Sequence, residues 1–420
     1  MNKTFLRISP FSGEVKLNEL ISFMSKVLAN KISHKNEILK FEKDFATYFG
    51  LNDAVSVNMG RTALIIALRS LDLNPGEEVI VPAYTCAIVY EPIMRLNLKP
   101  VLVDVDPKTF NINPDLIPEA ISKKTKVIIP IHLFGRPCEI DSVMEIASDN
   151  NLFVIEDVAQ AMGAEYNGNK TGTFGDLSIF SLGPGKCLFA GEGGIIGINN
   201  RIKNKKFLLR IEKERSNLPF PDKSWLLRVL RNIYGMYFSS NPYLYDLVKD
   251  MVDKTRITDN KMISENCINL IQNKSYLIHP TIKPMQMPTV SAILGNLKLN
   301  KLESVNSSRI SNSLILKKIL HPLKGWELPI INPNEKNIFT KFVVKVEEEK
   351  RNQIASKLVK LRMEVSKPYD YVFKILKLFG KFPVSETLCK TLLTLPNYPN
   401  LSPLEIYRIG KNIKEVANQV

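Results

Sequence analysis

From about residue 50, short unbroken apolar runs alternate with stretches whose apolar residues recur every third or fourth position. The runs are EVIVP (78–82), PVLVDVD (100–106), KVIIPIHLF (126–134), LFVIEDV (152–158), LSIFSL (177–182) and GGIIGIN (193–199). Continuous Val- and Ile-rich runs are expected of strands covered on both faces, as in a parallel sheet. Between them TALIIALRSLDL (62–73) and EIDSVMEIASDN (139–150) carry the helical period. Strands alternating with helices predict an α/β lobe with right-handed crossovers.

The pattern divides the chain into four parts. Residues 1–49 form an N-terminal helical segment, and 50–200 form the large domain. Residues 201–283 break the alternation: they carry roughly twice as many basic as acidic residues and show no convincing strand. This part reads as a basic, mostly helical insertion or bridge. Residues 284–420 comprise an interdomain helix at about 289–304 and a small domain. That domain holds the strand FVVKV (342–346), a helix near 349–362 and a closing helix from Pro403.

Composition narrows the class. A chain of 420 residues exceeds one ordinary core, and 45% hydrophobic with 24% charged residues is globular usage. No stretch approaches the roughly 18 consecutive apolar residues of a membrane span. The opening MNKTFLRISPFSGEVKL lacks a leader's apolar run and cleavage site. Five cysteines, scattered and never spaced C-x-x-C, argue against a disulfide framework or a zinc site and for a reducing cytoplasm. The net charge of +15 favours anionic partners, yet no nucleic-acid-binding signature accompanies it. In SWLLRVLRNIYGMYF (224–238) the residues Trp225, Leu226, Val229, Leu230, Ile233, Met236 and Tyr237 form one helical stripe, with Arg228 and Arg231 opposite. Such a helix either packs on its own protein or makes a peripheral membrane contact.

Ligand sites in open parallel sheets lie where strands end in loops. Those positions are Asn58–Arg61, Pro82–Cys86, His132–Pro137, Asp157–Gln160 and Ser181–Gly194. In FSLGPGKCLFAGEGG (180–194), Lys186 sits among Gly183, Gly185, Gly191 and Gly193. This is not a phosphate-binding G-x-x-x-x-G-K-[ST] loop, since Phe180 and Cys187 stand at its defining positions. A solvated loop lysine is the plain alternative. In VIEDVAQAMGAEY (154–166) a strand end delivers Asp157, with Gln160 just after it. A buried carboxylate there needs a cationic or hydrogen-bonding partner, unless it only caps the next helix. In SVNMGRTALIIAL (56–68), Gly60 at a helix start exposes N–H groups at the positive end of the helix dipole.

In this order and spacing, the motifs resemble the DegT/DnrJ/EryC1/StrS sugar aminotransferases, fold-type-I pyridoxal-phosphate enzymes. The resemblance runs through EVIVPAYT, VLVDVDPKTFNINPDLIPEAI, TKVIIPIHLFGRPCEID, VIEDVAQAMGA, TGTFGDLSIFS and GEGG, and resumes at FPVSETLCKTLLTLPNYPNLS (382–402). It implies an aspartate-aminotransferase-like fold: a large cofactor-binding domain with a mostly parallel sheet, plus a smaller C-terminal α/β domain. It implies pyridoxal 5'-phosphate in Schiff-base linkage to Lys186, Asp157 on the pyridine nitrogen and Gln160 at the ring oxygen. Ser181 and the backbone at Gly60 and Arg61 would hold the phosphate. It implies a homodimer, a nucleotide-linked keto-sugar substrate, and glutamate or glutamine as amino donor for surface-glycan synthesis.

The chain also departs from that pattern. Met59-Gly60-Arg61 replaces the usual Ser-Gly-Thr, and Ile282-Lys283-Pro284-Met285 replaces Gly-x-Asn-x-Arg-Met. Tyr84-Thr85-Cys86 offers no clear ring-stacking aromatic, which makes Tyr84 the candidate. His132 matches a family position but reads as structural. The alternatives are a sugar dehydratase on the same scaffold, in which histidine replaces the lysine, and a non-catalytic regulatory protein, which would have lost Lys186 or Asp157.

Overall fold

The computed structural model describes residues 15–29, 35–199, 205–240, 245, 283–369, 372–373 and 378–420. Its centre is a sheet of seven strands: β1 (Asp53–Val57), β2 (Glu78–Pro82), β3 (Lys99–Val103), β4 (Thr125–Ile128), β5 (Phe153–Asp157), β6 (Leu177–Ser181) and β7 (Gly194–Ile198). The spatial order is β1-β7-β6-β5-β4-β2-β3. Neighbours from β6 through β3 are parallel, whereas β7 runs antiparallel to both β6 and β1. All six runs read as strands are strands. The seventh, β1, escaped because DAVSV is short and mixes Ala and Ser with Val; pairing with β7 makes it a strand.

Helices cover the sheet on both faces, so β2 and β7 are buried at every position. The Gly60–Ser70 helix packs its Ala, Leu and Ile residues into the main core with Val55, Val81, Ile155 and Ile196. Beneath the other side, Phe41, Phe45 and Phe49 of the Lys35–Phe49 helix meet β6, with the Phe45 and Phe180 rings edge-on at 4.9 Å. Aromatic pairs of this geometry add roughly 1 kcal/mol beyond their burial.

A separate apolar cluster forms the C-terminal layer. The antiparallel pair Phe342–Lys345 and Leu392–Leu395 lies against the Leu302–Leu320, Glu348–Lys360 and Pro403–Asn418 helices. The closing helix starts as its sequence S-P-L-E dictates. Glu405 N–H donates to Ser402 Oγ, Ser402 N–H donates to the Glu405 carboxylate, and Pro403 occupies the first turn. One expectation is corrected: the helix read over 289–304 is two helices, Thr289–Leu299 and Leu302–Leu320. Their break at Asn300-Lys301 redirects the chain toward the C-terminal layer, a change that an apolar period carried across the junction does not record.

Of residues 201–283, the described ones are 205–240, Tyr245 and Lys283; they form the Lys205–Ser216 and Lys223–Ser240 helices with a non-helical link at 217–222, and the rest of the stretch lies outside the described residues. Val229 and Ile233 are fully buried against Phe23, Phe189, Ile293 and Leu294, and Trp225, Leu226, Leu230, Met236 and Tyr237 flank them. The apolar stripe of this helix is therefore spent on the chain's own core, which favours packing over membrane contact. Among the described residues no helix is long and apolar enough to cross a membrane.

Candidate active site

The sheet register sets the site. Val57, Gly194 and Ser181 lie in one row across β1, β7 and β6, so the turn at Asn58–Gly60 and the end of β6 emerge side by side. Contact is close enough to demand glycine. A Cβ on Gly194 would stand 2.3 Å from the Met59 carbonyl carbon and oxygen, and one on Gly60 would stand 3.1 Å from Ser181 Cβ. The helix beginning at Gly60 has Met59 as its N-cap residue, with no side-chain bond to its first N–H groups. An uncapped helix start facing a serine hydroxyl forms an anion cradle. Arg61 is the second residue of this helix, and its charge acts on the buried Glu91 carboxylate.

The loop after β6 presents Lys186 at its tip, with Lys186 N–H donating to Gly183 O at 3.3 Å. Gly191 returns the chain at φ +85°, where a Cβ would press on Val229 and Ile233. The glycines after Lys186 thus seat the loop on the Lys223–Ser240 helix and on the turn at Met59. They are packing glycines.

Asp157 ends β5. Its backbone accepts from His132 N–H and donates to Pro130 O, and its Oδ1 accepts from Ala159 N–H at 2.9 Å. Among the described residues that is the one hydrogen bond to its carboxylate. Burial pushes this carboxyl above its ordinary range, while the Ala159 N–H and the Lys186 charge oppose the rise. A buried acid near an amine with one oxygen unbonded is a receptor for a cationic ring N–H. The residue before it has a different task. Glu156 is fully buried and accepts from Gly172, Phe174 and Gly175 N–H, clamping the loop before β6. His132 completes that clamp: its Nδ1 accepts from Cys138 N–H, so its Nε2–H donates to Glu156 at 2.9 Å. This histidine is structural.

A cavity of about 460 Å³ opens in front of the loop, within the range of small-molecule sites. Lys186, Gln160 and Cys86 line it, joined by Arg309, Thr340, Lys341, Glu364, Tyr369 and Asn397 from the C-terminal part. No local pattern marks those later residues. They arrive because Thr340 Oγ1 donates to Gln160 O at 2.6 Å, Asn397 Nδ2 to Phe339 O at 2.6 Å, and Lys341 N–H to Phe134 O at 3.3 Å.

The structure thus brings Lys186 and Gln160 to one cavity, places Asp157 within reach of the Lys186 charge, and sets Gly60 beside Ser181. Tyr84 lies outside the lining of this cavity. Its ring is fully buried and its hydroxyl donates to Pro368 O at 2.9 Å, while Tyr369, edge-on to it, is the aromatic that faces the cavity.

Comparison with known proteins adds a second line. The model of the DegT/DnrJ/EryC1/StrS aminotransferase family matches residues 17–213 and 251–414. A GDP-perosamine synthase of Escherichia coli O157:H7 is 27% identical, aligned over 91% of this chain and 91% of that protein. The dTDP-3-amino-3,4,6-trideoxy-alpha-D-glucose transaminase of Streptomyces venezuelae is 26% identical over 91% of this chain and 88% of its own. Among solved structures, S. venezuelae DesV superposes with a TM-score of 0.72 at 25% identity, covering 96% of this chain and 95% of that one.

Proposed function

The chain belongs to the DegT/DnrJ/EryC1/StrS aminotransferase family and is a pyridoxal-phosphate-dependent aminotransferase of fold type I; from that premise we propose that it aminates a nucleotide-linked keto-sugar, with glutamate or glutamine as donor, for a surface polysaccharide or related glycan. The observation that carries the reading is Lys186 sharing a cavity with Gln160 while its charge acts on the buried Asp157 carboxyl. The sugar-nucleotide class is supported by full-length relatives named for GDP- and dTDP-linked amino-sugars.

The residues present fit the cofactor: a glycine cradle against Ser181, a buried acid with a free oxygen, and an amine at the cavity wall. When bound, pyridoxal phosphate supplies an aldehyde for amines and a ring that draws electrons from the adjoining carbon. Lys186 Nζ would hold that aldehyde, and the same amine at the cavity wall would serve as the group that takes up and returns a proton. Asp157 would keep a proton on the ring nitrogen, and Gln160 would meet the ring oxygen. Ser181 Oγ and the N–H groups at Gly60 and Arg61 would hold the phosphate.

Two further parts of the proposal concern setting. Leu17, Ile21 and Met24, spaced on one face of the Leu17–Ala29 helix, are 56%, 58% and 41% exposed. An apolar face of this kind supports a homodimer. The described cysteines, Cys86, Cys138, Cys187 and Cys389, are thiols, and a reducing cytoplasm is the setting proposed with them.

Borohydride reduction followed by peptide mapping tests the site: the cofactor is expected on Lys186, and Lys186→Ala is expected to be inactive. A label on another lysine overturns the assignment. A panel of GDP- and dTDP-linked keto-sugars, assayed with glutamate, tests the substrate class; turnover of none of them overturns it.

A further inference from the structure

Three cationic side chains, Lys186, Arg309 and Lys341, line the 460 Å³ cavity, and among its described lining residues Glu364 is the one carboxylate. Glu364 already accepts from Tyr245 OH at 3.1 Å, and Arg309 Nη1 donates to Thr340 O at 3.2 Å. Lys341 differs from both. Its backbone is fixed by the bond to Phe134 O, and its neighbour Thr340 by the bond to Gln160 O, so its side chain leaves a rigid rim. Among the described residues, the titratable groups that act on its ammonium are the Lys186 amine and the Cys86 thiol, with no carboxylate beside them. Burial, with the Lys186 charge adding to it, holds Lys341 below the ordinary lysine range. Keeping a second ammonium beside Lys186 costs free energy that an anion placed between them returns.

We propose that Lys341 binds the α-carboxylate of the amino donor. This rests on the function proposed above. An α-amino acid carries its amine and carboxylate on one carbon. When its nitrogen reaches the position of Lys186 Nζ, its carboxylate carbon lies two bonds away, and Lys341 lines the same cavity within reach of the Lys186 charge. The diphosphate of a sugar nucleotide is separated from the reacting carbon by the sugar ring, so it falls farther from Lys186. Glutamate and glutamine differ in the side chain and share the α-carboxylate, so Lys341 acts equally on both.

The test separates the two half-reactions in the cofactor-loaded full chain. Glutamate or glutamine is titrated against the wild type and Lys341→Met, following the visible absorbance lost on amination of the cofactor. Half-saturation is expected to rise roughly 10- to 100-fold for both donors, the cost of a lost charge-assisted bond, and Lys341→Arg is expected to recover part of it. The keto-sugar half-reaction, run from the aminated form, is expected to keep its half-saturation. Cofactor absorbance and melting temperature report that the variant is folded, with Lys341→Gln as the substitute if Lys341→Met is not. Unchanged donor half-saturation overturns the proposal, as does an effect on glutamate alone, which assigns Lys341 to the side-chain carboxylate. An effect on the keto-sugar alone also overturns it and gives the charge to the diphosphate. If no amino acid converts the wild type, the functional reading itself fails; if the wild type converts and Lys341→Met matches it, only this inference does.

Discussion

The Tyr369 hydroxyl oxygen lies 2.7 Å from Gln160 Nε2 and accepts its hydrogen bond, joining a residue from the C-terminal part of the chain to the one expected at the cofactor's ring oxygen. Tyr369 holds a left-handed backbone, φ +59°, which costs a non-glycine residue roughly 1–2 kcal/mol. Its ring is kept there by Phe134, stacked at 5.9 Å and 10°, and by Tyr84, edge-on at 5.3 Å. Tyr369→Phe keeps these ring contacts and removes the acceptor. Cofactor affinity is expected to change by about two- to tenfold with little change in melting temperature. Tyr369→Ala is expected to lose roughly 3–5 kcal/mol of stability as well. Absorbance titration and thermal unfolding read both, and a Tyr369→Phe variant identical to wild type in cofactor affinity removes the link.

Asp157→Asn keeps the side chain's shape and loses the charge that retains the ring proton. A fall of several orders of magnitude in kcat is expected, at about 1.4 kcal/mol per tenfold, with cofactor still bound. Near-normal turnover would leave Asp157 as a residue that only fastens the turn through Ala159 N–H.

Glu19 gives a pH dependence with a definite sign. Burial pushes its carboxyl up, but the Lys298 charge and bonds from Lys298, Lys16 N–H and Lys301 outweigh that and leave it below its ordinary value. A carboxyl depressed in the folded state stabilises the fold above its unfolded pKa, and the contribution is lost as pH falls through the folded value. The melting-temperature difference between wild type and Glu19→Gln should be largest near neutral pH and shrink below about pH 4. A difference independent of pH would show that the ion pairs with Lys298 and Lys301 contribute nothing.

Trp225 joins the basic helix to the catalytic loop, its indole N–H donating to the Glu192 carboxylate. With the apolar stripe buried, the protein is expected to stay in the supernatant with anionic liposomes at low salt. Trp225→Asp with Leu226→Asp is expected to destabilise the fold. Salt-sensitive co-sedimentation of the wild type would contradict this and direct attention to the exposed Leu227 and Phe238.

The residues of the large domain were legible because their cause is local. A run such as LFVIEDV reads as a strand buried on both faces, and the residue at its carboxyl end enters a loop, so Asp157–Gln160 and Ser181–Gly194 stood out as candidate positions before any family was considered. Order and spacing then made the family recognisable. Tyr84 and Tyr369 mark where this reading stopped. Which of these two distant tyrosines turns its ring to the cavity depends on the Pro368 carbonyl that takes the Tyr84 hydroxyl, and no local pattern encodes that partner.

What the sequence alone determined is therefore the strand–helix order, the loops at strand ends that carry the candidate residues, the family resemblance that implies the cofactor, and the closing helix from Pro403. The tertiary structure decided which distant side chains share a volume. The break at Asn300-Lys301 and the bonds from Thr340 and Asn397 bring the C-terminal layer over Gln160, setting Lys341 and Tyr369 in the cavity with Lys186. Strand and helix periods arise from neighbours one to four positions apart, whereas these contacts come from closing long loops, and only the packed chain specifies them.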